Sequence, residues 1–159
     1  MQVFLPALQN ARFAVQRCSQ RLGRSFFEPD IAALQMFAWP DEPVFADIGV
    51  NRGLTTDAMR LLVPDARIIG FEPNPLLFEQ LTSLYADAPG VALHAIALGR
   101  RSLDGILYVP VYRNWLFDGL GSLKRNEAAE WLSADTLYFF DRRHLRLREY
   151  PCRVRRLDE

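Results

Sequence analysis

Acidic, amide and glycine residues follow a short apolar run in the stretch FADIGVNRGLTTDAMRLL. Asp47 ends the run, Gly49 and Gly53 stand four positions apart, and Asn51 lies between them. A glycine-containing turn between a strand and a helix brings backbone N–H groups close to a ligand, as in nucleotide-binding turns. These residue types therefore indicate a ligand-binding turn with a carboxylate beside it.

A second carboxylate, Glu72, ends the next apolar run, 19 residues after Gly53. A carboxylate about 20 residues beyond a glycine turn is placed to bind both hydroxyls of a ribose. A dinucleotide fits less well, because the third glycine of the G-x-G-x-x-G pattern is absent and Asp47 would repel a pyrophosphate. S-adenosylmethionine (SAM) has a ribose without a phosphate, an ammonium group that favours a nearby aspartate, and a carboxylate that can bind N–H groups at a helix start. The side-chain amide of Asn51 can donate or accept a hydrogen bond beside the ammonium and carboxylate groups of SAM.

Three other interpretations of these residues stay open. Asp47 can simply cap the following turn, while Asn51 supplies a left-handed backbone. The turn can belong to a non-catalytic SAM-binding or interaction domain. It can also belong to a nucleotide- or dinucleotide-binding enzyme, and a direct comparison of ligand binding would decide between these classes.

The elements that would position these residues alternate between strands and helices. Apolar runs predict the strands, leucines at helical spacing predict the helices, and Asn74 followed by Pro75 is typical of a helix start. The predicted order is a strand over 43–49, a helix over 54–62, a strand over 67–72, a helix from 75 and a strand over 91–98. Strand starts about 24 residues apart indicate right-handed βαβ crossovers in a parallel sheet, and the nearly continuous apolar strands predict a sheet that is covered on both faces.

Outside this unit, the pattern predicts a helix before the sheet and further strands after it. The helix, over 29–38, should bury Ile31, Leu34, Phe37 and Ala38. After the sheet we expect a strand over 105–111 that pairs antiparallel, a loop over 114–123, a helical turn or two over 124–132 and a last strand over 150–158.

The chain has 159 residues, half of them hydrophobic, and a net charge of zero, which fits a globular protein with a core and argues against nucleic-acid binding. Cys18 and Cys152 are isolated and lack the spacing of a metal site, so we expect reduced thiols in a cytoplasmic protein. Residues 1–27 hold four arginines and no acid. A basic, roughly amphipathic helix within residues 1–24 could touch an anionic membrane surface, or it could pack on the domain or on another subunit. Neither a membrane span nor a signal peptide is indicated.

Taken together, FADIGVNRG, IIGFEPNPLLFEQL, VALHAIALG, ILYVP and RRLDE resemble the FkbM family of SAM-dependent methyltransferases, over about residues 43–159. The resemblance implies a Rossmann-like class I methyltransferase sheet and O-methylation of a hydroxyl group, often on a sugar, a glycolipid or a natural-product scaffold. It also implies that the methionine end of SAM lies among Asp47, Gly49, Val50, Asn51 and Gly53. The family usually has alanine in place of Val50.

The resemblance assigns the other side of the cofactor to residues that follow the second and third strands. Glu72 would hold the ribose, Pro73 and Asn74 would lie beside the adenine, and Ala97 would line the adenine side. A hydroxyl acceptor also benefits from a general base. The sequence offers no strong candidate, because His94 lies in an apolar strand, where a packed histidine is expected, and His144 lies in a basic, solvated stretch.

The family pattern continues beyond LDE with a helix and then a strand resembling KIDVEG, whose acids lie at the active site. We therefore expect an N-terminal helical segment over 1–42 and part of a Rossmann-like SAM-binding domain over 43–159, with this chain inactive on its own because one wall of the acceptor site is missing. The free edge of the first strand would favour self-association unless N-terminal helices cover it. Trp115, Asp118 and Ser122 lie in the segment that could cover a small-molecule or glycan acceptor.

Overall fold

The computed structural model describes residues 6–23, 26 and 28–159, which form an α/β fold with a three-stranded parallel sheet and flanking helices. The helices are α1 (Pro6–Arg21), α2 (Leu54–Leu62), α3 (Pro75–Leu84) and α4 (Arg125–Glu130), with 3-10 helices at Pro29–Met36 and Arg142–His144. The strands are β1 (Val44–Ile48), β2 (Arg67–Phe71), β3 (Val91–His94), β4 (Ala97–Leu98), β5 (Leu103–Tyr112), β6 (Trp115–Leu116) and β7 (Leu145–Arg155). The predicted alternation of parallel strands and helices is confirmed from β1 to β3.

The parallel sheet has its strands in chain order, β1-β2-β3. Ala46 lies opposite Ile69 in β2, and Ile69 lies opposite Ala92 in β3. Right-handed crossovers between strands that follow one another in a single direction place their helices on one face of the sheet. On that face Leu81 and Tyr85 form a buried cluster with the turn after β1.

The opposite face of the sheet is open in the part of the chain that the structure describes, so the prediction of a sheet covered on both faces is wrong. Val44 and Ile48 are 58% and 62% exposed. β1 is also an edge strand. The Pro43 carbonyl and the Gly49 N–H form hydrogen bonds with β2. Backbone groups alternate in direction along a strand, so the N–H and C=O groups of Val44 and Ile48 point away from the sheet. The described N-terminal residues do not pair with this edge.

A second sheet, of order β4-β7-β5-β6, follows the first. The prediction of a single strand over 91–98 is wrong, because the chain leaves the first sheet after His94 and Ala97 pairs with Val154 of β7. The antiparallel pairing predicted after the sheet is confirmed by β5 and β7, and the predicted loop over 114–123 contains only the short strand β6. The buried side chains of this second sheet form one hydrophobic cluster, which consists of Ala97, Leu107, Val109, Cys152 and Val154.

The helix predicted over 29–38 is a 3-10 helix, Pro29–Met36, without a buried residue. A 3-10 helix has three residues per turn, so the 3.6-residue periodicity used for the prediction does not apply to it. The predicted inward set is therefore wrong, since none of its members is buried in the structure: Ile31, Leu34, Phe37 and Ala38.

The predicted basic N-terminal helix is present as α1 and packs on α2; residues 1–5 and 24 of the predicted segment lie outside the described residues. Arg17 Nε donates to Asp57 Oδ2 at 2.8 Å, and the same guanidinium donates to the Arg52 carbonyl. These contacts hold α1 against the start of α2. Within the described part of the chain, no helix has both the length and the apolar character needed to cross a bilayer.

Candidate functional site

The turn between β1 and α2 folds back onto the end of β2. The backbone N–H groups of Gly49 and Val50 donate to the Phe71 carbonyl at 2.9 and 3.2 Å. Gly49, Asn51 and Gly53 have φ angles of 82°, 53° and 77°. These angles lie in the left-handed region, which favours glycine and, among other residues, asparagine. Asn51 thus supplies the left-handed backbone that the structural interpretation of the turn predicted.

The carboxylate of Glu72 holds this turn from the end of the next strand. Glu72 is 5% exposed and accepts the backbone N–H groups of Asn51 at 2.7 Å and Asn74 at 2.8 Å. Burial raises the pKa of Glu72, and the two N–H donors oppose the rise. An ionised carboxylate offers about four acceptor sites, so about two remain for a ligand.

Asp47 lies on the covered face of β1 and is 6% exposed. Its Oδ2 accepts the hydroxyl of Thr56, so this carboxylate is bound to α2 rather than to the turn that follows it. Burial raises the pKa of Asp47, and the Thr56 hydroxyl opposes the rise. Among the residues that the structure describes, no arginine, lysine or histidine nitrogen lies within 4.0 Å of the Asp47 or Glu72 carboxylate. The negative charge of Asp47 also raises the pKa of Glu72, so the two acids form a buried acidic pair that favours a positively charged group nearby.

Replacing Asp47 by asparagine should remove one pH-dependent contribution to the free energy of unfolding. The folded protein holds the Asp47 proton above the ordinary pKa of 3.8, so this group lowers stability as the pH rises from that value through the raised pKa. The stability of Asp47→Asn relative to wild type should therefore increase as the pH rises above about 4 in urea titrations. The exposed Asp65→Asn is the control. A pH-independent difference for Asp47→Asn would contradict the raised pKa.

Asn74 joins α3 to the segment after β6 through its buried side chain. Its Oδ1 accepts the Leu76 N–H at 3.1 Å, which confirms Asn74 as the N-cap of α3. Its Nδ2 donates to the Asp118 carbonyl at 2.7 Å. Since both ends of the amide are used within the protein, Asn74 positions the loop next to Glu72.

The three apolar residues predicted to contact the cofactor have different surroundings. Val50 is buried in the cluster with Leu81 and Tyr85, beneath the turn. Pro73 is half-buried directly after Glu72. Ala97 belongs to the core of the second sheet. The structure thus brings Val50 and Pro73 to the turn, while Ala97 packs among the strands of the neighbouring sheet.

Arg52 and Asp118 form an ion pair that sequence reasoning missed. Both side chains are largely buried, and the Arg52 guanidinium also lies over the Phe13 ring, 4.5 Å from its centroid. Asn51 Nδ2 contacts the Gly119 carbonyl at 3.5 Å. These contacts place α1 and the segment after β6 against the glycine turn. Arg52 itself was the sequence signal that could have revealed this pair. An arginine inside a turn that binds a phosphate-free ligand has no obvious partner on the ligand, so it needs an acidic partner within the protein.

A cavity of ≈ 300 Å³ opens beside the turn. Its volume is at the lower end of the range for ligand pockets, about 300–1,000 Å³. Its walls are formed by α1, the turn, the start of α2 and the segment after β6. Its lining includes Phe13, Gly49, Asn51, Thr55, Phe117 and Gly119. Asp47 and Glu72 are not part of this lining, so the acidic pair lies behind the turn.

The segment predicted to cover an acceptor has its polar side chains engaged within the protein. Trp115 is buried. The Ser122 hydroxyl donates to Glu127 at 3.0 Å, and the Asp118 carboxylate is paired with Arg52. Of these three predicted residues, Asp118 is the one that contacts the turn.

Both histidines of the chain are exposed. The ring of His94 stacks on Phe71 with the centroids 5.4 Å apart, so the predicted packing holds for one face of the ring. His144, the last residue of the 3-10 helix before β7, is solvated as predicted. Neither histidine forms an ion pair with Asp47 or Glu72 in the described residues.

No family model matches the sequence, and no curated protein is significantly similar to it. The fold and the site define an α/β protein whose glycine turn lies at the carboxyl ends of parallel strands. The function is therefore inferred from the geometry of this turn and the acidic pair behind it.

Proposed function

We propose that this protein is a SAM-dependent methyltransferase with a Rossmann-like sheet, which methylates a hydroxyl group of a small molecule or glycan. One observation carries the proposal. Asp47 and Glu72 lie buried at the carboxyl ends of adjacent parallel strands, beside a turn with two left-handed glycines. In open α/β sheets, ligands bind outside the carboxyl ends of the parallel strands.

The charge of the acidic pair supports SAM over a nucleotide that contains phosphate. Neither Asp47 nor Glu72 has a cationic partner within 4.0 Å among the described residues. The negative charge of a pyrophosphate would be repelled in these surroundings, whereas the ammonium and sulfonium groups of SAM are positive. The acidic pair thus fits the cofactor that the resemblance implies.

The free acceptor sites and donors of the turn suggest how the cofactor would be held. Glu72 would accept the ribose hydroxyls with the sites that Asn51 and Asn74 do not use. Asp47 would lie on the ammonium side. Because the Asn51 N–H already binds Glu72, the carboxylate of the ligand would bind N–H groups at the start of α2, which a helix leaves unsatisfied.

The protein's own contribution to methyl transfer would be orientation and exclusion of water. When bound, SAM supplies the methyl group, so the chain needs to align the acceptor hydroxyl and close the site. The Arg52–Asp118 pair joins the turn to the segment after β6. This segment would have to move for a ligand to reach the acidic pair behind the turn.

Ligand selectivity tests the proposal. Calorimetry on the full chain should show S-adenosylhomocysteine binding at least about tenfold more tightly than NAD or UDP-glucose, because each of the latter brings a pyrophosphate towards Asp47. Tighter binding of NAD or UDP-glucose would show a phosphate site and overturn the proposal. Absence of binding by S-adenosylhomocysteine would also contradict it.

A further inference from the structure

The second sheet ends in a tip that carries a cluster of basic residues. β5 ends and β7 begins there, with Tyr112 opposite Leu145 in antiparallel register. Directly beyond this pair, the Arg113 N–H donates to the His144 carbonyl at 3.0 Å. The backbone therefore holds these two positions side by side at the end of the ladder.

A cavity of ≈ 420 Å³ at this tip, hereafter the arginine pocket, is lined by Arg113, Asn114, Arg143, His144 and Arg146. Every one of these residues is polar and exposed. A guanidinium is planar and presents paired N–H donors that match two oxygens of one oxyanion. The arginine pocket thus combines a concave shape with three such groups.

One acid, Asp141, lies beside the arginine pocket and pairs with one of its arginines. The Arg143 guanidinium binds the Asp141 carboxylate at 2.8 Å, and this contact lowers the pKa of Asp141 to about 2. His144 Nε2 lies 3.9 Å from the same carboxylate. In the described part of the chain, no carboxylate lies within 4.0 Å of the guanidinium of Arg113 or Arg146. Among the described residues, two of the three guanidinium groups therefore lack a counter-charge.

A buried tyrosine fixes the rim of the arginine pocket. Tyr112 is 2% exposed, donates its hydroxyl to the Phe139 carbonyl at 3.2 Å and accepts the Asp141 N–H at 3.0 Å. The Arg113 guanidinium lies over the Tyr112 ring, 5.6 Å from its centroid, which is within the range of a cation–π interaction. A positioned arginine loses less conformational entropy when it binds a ligand.

We propose that the arginine pocket binds a phosphoryl group, with the guanidinium groups of Arg113 and Arg146 as its main donors and the Asn114 amide as a further donor. A phosphoryl group offers oxygens on several sides, so it can accept from two guanidinium groups at once. A soluble phosphate ester and a phospholipid headgroup share this chemistry. The site is separate from the glycine turn and does not rest on the proposed methyltransferase function.

Titration of the full chain with inorganic phosphate and with glucose 6-phosphate, followed by NMR, tests this site. Both should shift the signals of Arg113 and Arg146, whereas glucose should not. Arg113→Gln and Arg146→Gln should each weaken binding about tenfold or more, because each removes charged hydrogen bonds. Arg146→Lys keeps the charge without the planar guanidinium, so its affinity for phosphate should lie between those of wild type and Arg146→Gln. The exposed Arg101→Gln is the matched control and should leave the affinity unchanged.

Sedimentation with phosphatidylglycerol vesicles distinguishes the source of the phosphoryl group. If the soluble phosphates do not bind but the vesicles do, and Arg146→Gln abolishes sedimentation while Arg101→Gln does not, the ligand is a lipid headgroup. Failure of phosphates and vesicles alike would overturn the proposal, as would equal affinities of Arg146→Gln and Arg101→Gln. These titrations contain no SAM, so a negative result leaves the methyltransferase proposal untouched.

Discussion

Replacing Glu72 by glutamine should weaken the binding of S-adenosylhomocysteine about 10- to 150-fold, which corresponds to about 1.5–3 kcal/mol for hydrogen bonds to a charged group. Glutamine has one oxygen and one NH₂ group at this position. The oxygen can satisfy the N–H of Asn51 or that of Asn74, but not both as the carboxylate does. The ribose would then lose its charged acceptor. Calorimetry on wild type and Glu72→Gln measures the effect.

The matched control for this experiment is Glu79→Gln, because Glu79 is an exposed glutamate on α3. This variant should bind S-adenosylhomocysteine as wild type does. Urea unfolding of the ligand-free proteins shows whether each variant is folded under the conditions of the titration. If folded Glu72→Gln binds as tightly as Glu79→Gln, Glu72 only holds the turn and the ribose assignment is wrong.

Gly53→Ala should lower the free energy of unfolding by about 2–5 kcal/mol. Gly53 is the N-cap of α2 with φ 77° and ψ 14°, and a side chain in the left-handed region costs about 1–2 kcal/mol. A Cβ there would also overlap the Tyr85 hydroxyl, and overpacking adds about 1–3 kcal/mol. Such a loss is a large part of the roughly 5–15 kcal/mol that stabilises a typical domain. Urea unfolding of the two proteins measures the loss.

Gly49→Ala separates the cost of a side chain in the left-handed region from the cost of the overlap with Tyr85. Gly49 has φ 82°, but a Cβ there would meet no atom within 4 Å, so this variant should lose only about 1–2 kcal/mol. In a Tyr85→Phe background the hydroxyl is absent, and the loss caused by Gly53→Ala should shrink. Equal losses for Gly49→Ala and Gly53→Ala in the wild-type background would contradict the close contact with Tyr85.

The acidic pair is expected to lower stability at neutral pH, as ionisable groups at functional sites often do. Burial raises the pKa of both Asp47 and Glu72, so folding becomes less favourable where these groups ionise. Buried ionisable groups with shifted pKa values cluster at functional sites. The Thr56 hydroxyl and the backbone N–H groups offset part of the loss and hold the carboxylates in place.

By itself the sequence determined the elements whose signals are local. α2 spans residues 54–62 as predicted, and Asn74 caps α3 as predicted. Capping and helical periodicity act between residues a few positions apart, so the pattern contains the information. The sequence also predicted that Asp47 and Glu72 would each lie at the end of a strand of the parallel sheet, where ligands bind.

Only the tertiary structure decided which partners these residues contact. The run 91–98 is apolar throughout, yet His94 ends one sheet and Ala97 joins another through pairing with β7. Arg52 and Asp118 are 66 positions apart, and no local pattern encodes a contact at that separation. The open face of the parallel sheet likewise follows from the order β1-β2-β3, because strands added in a single direction keep their crossover helices on one side.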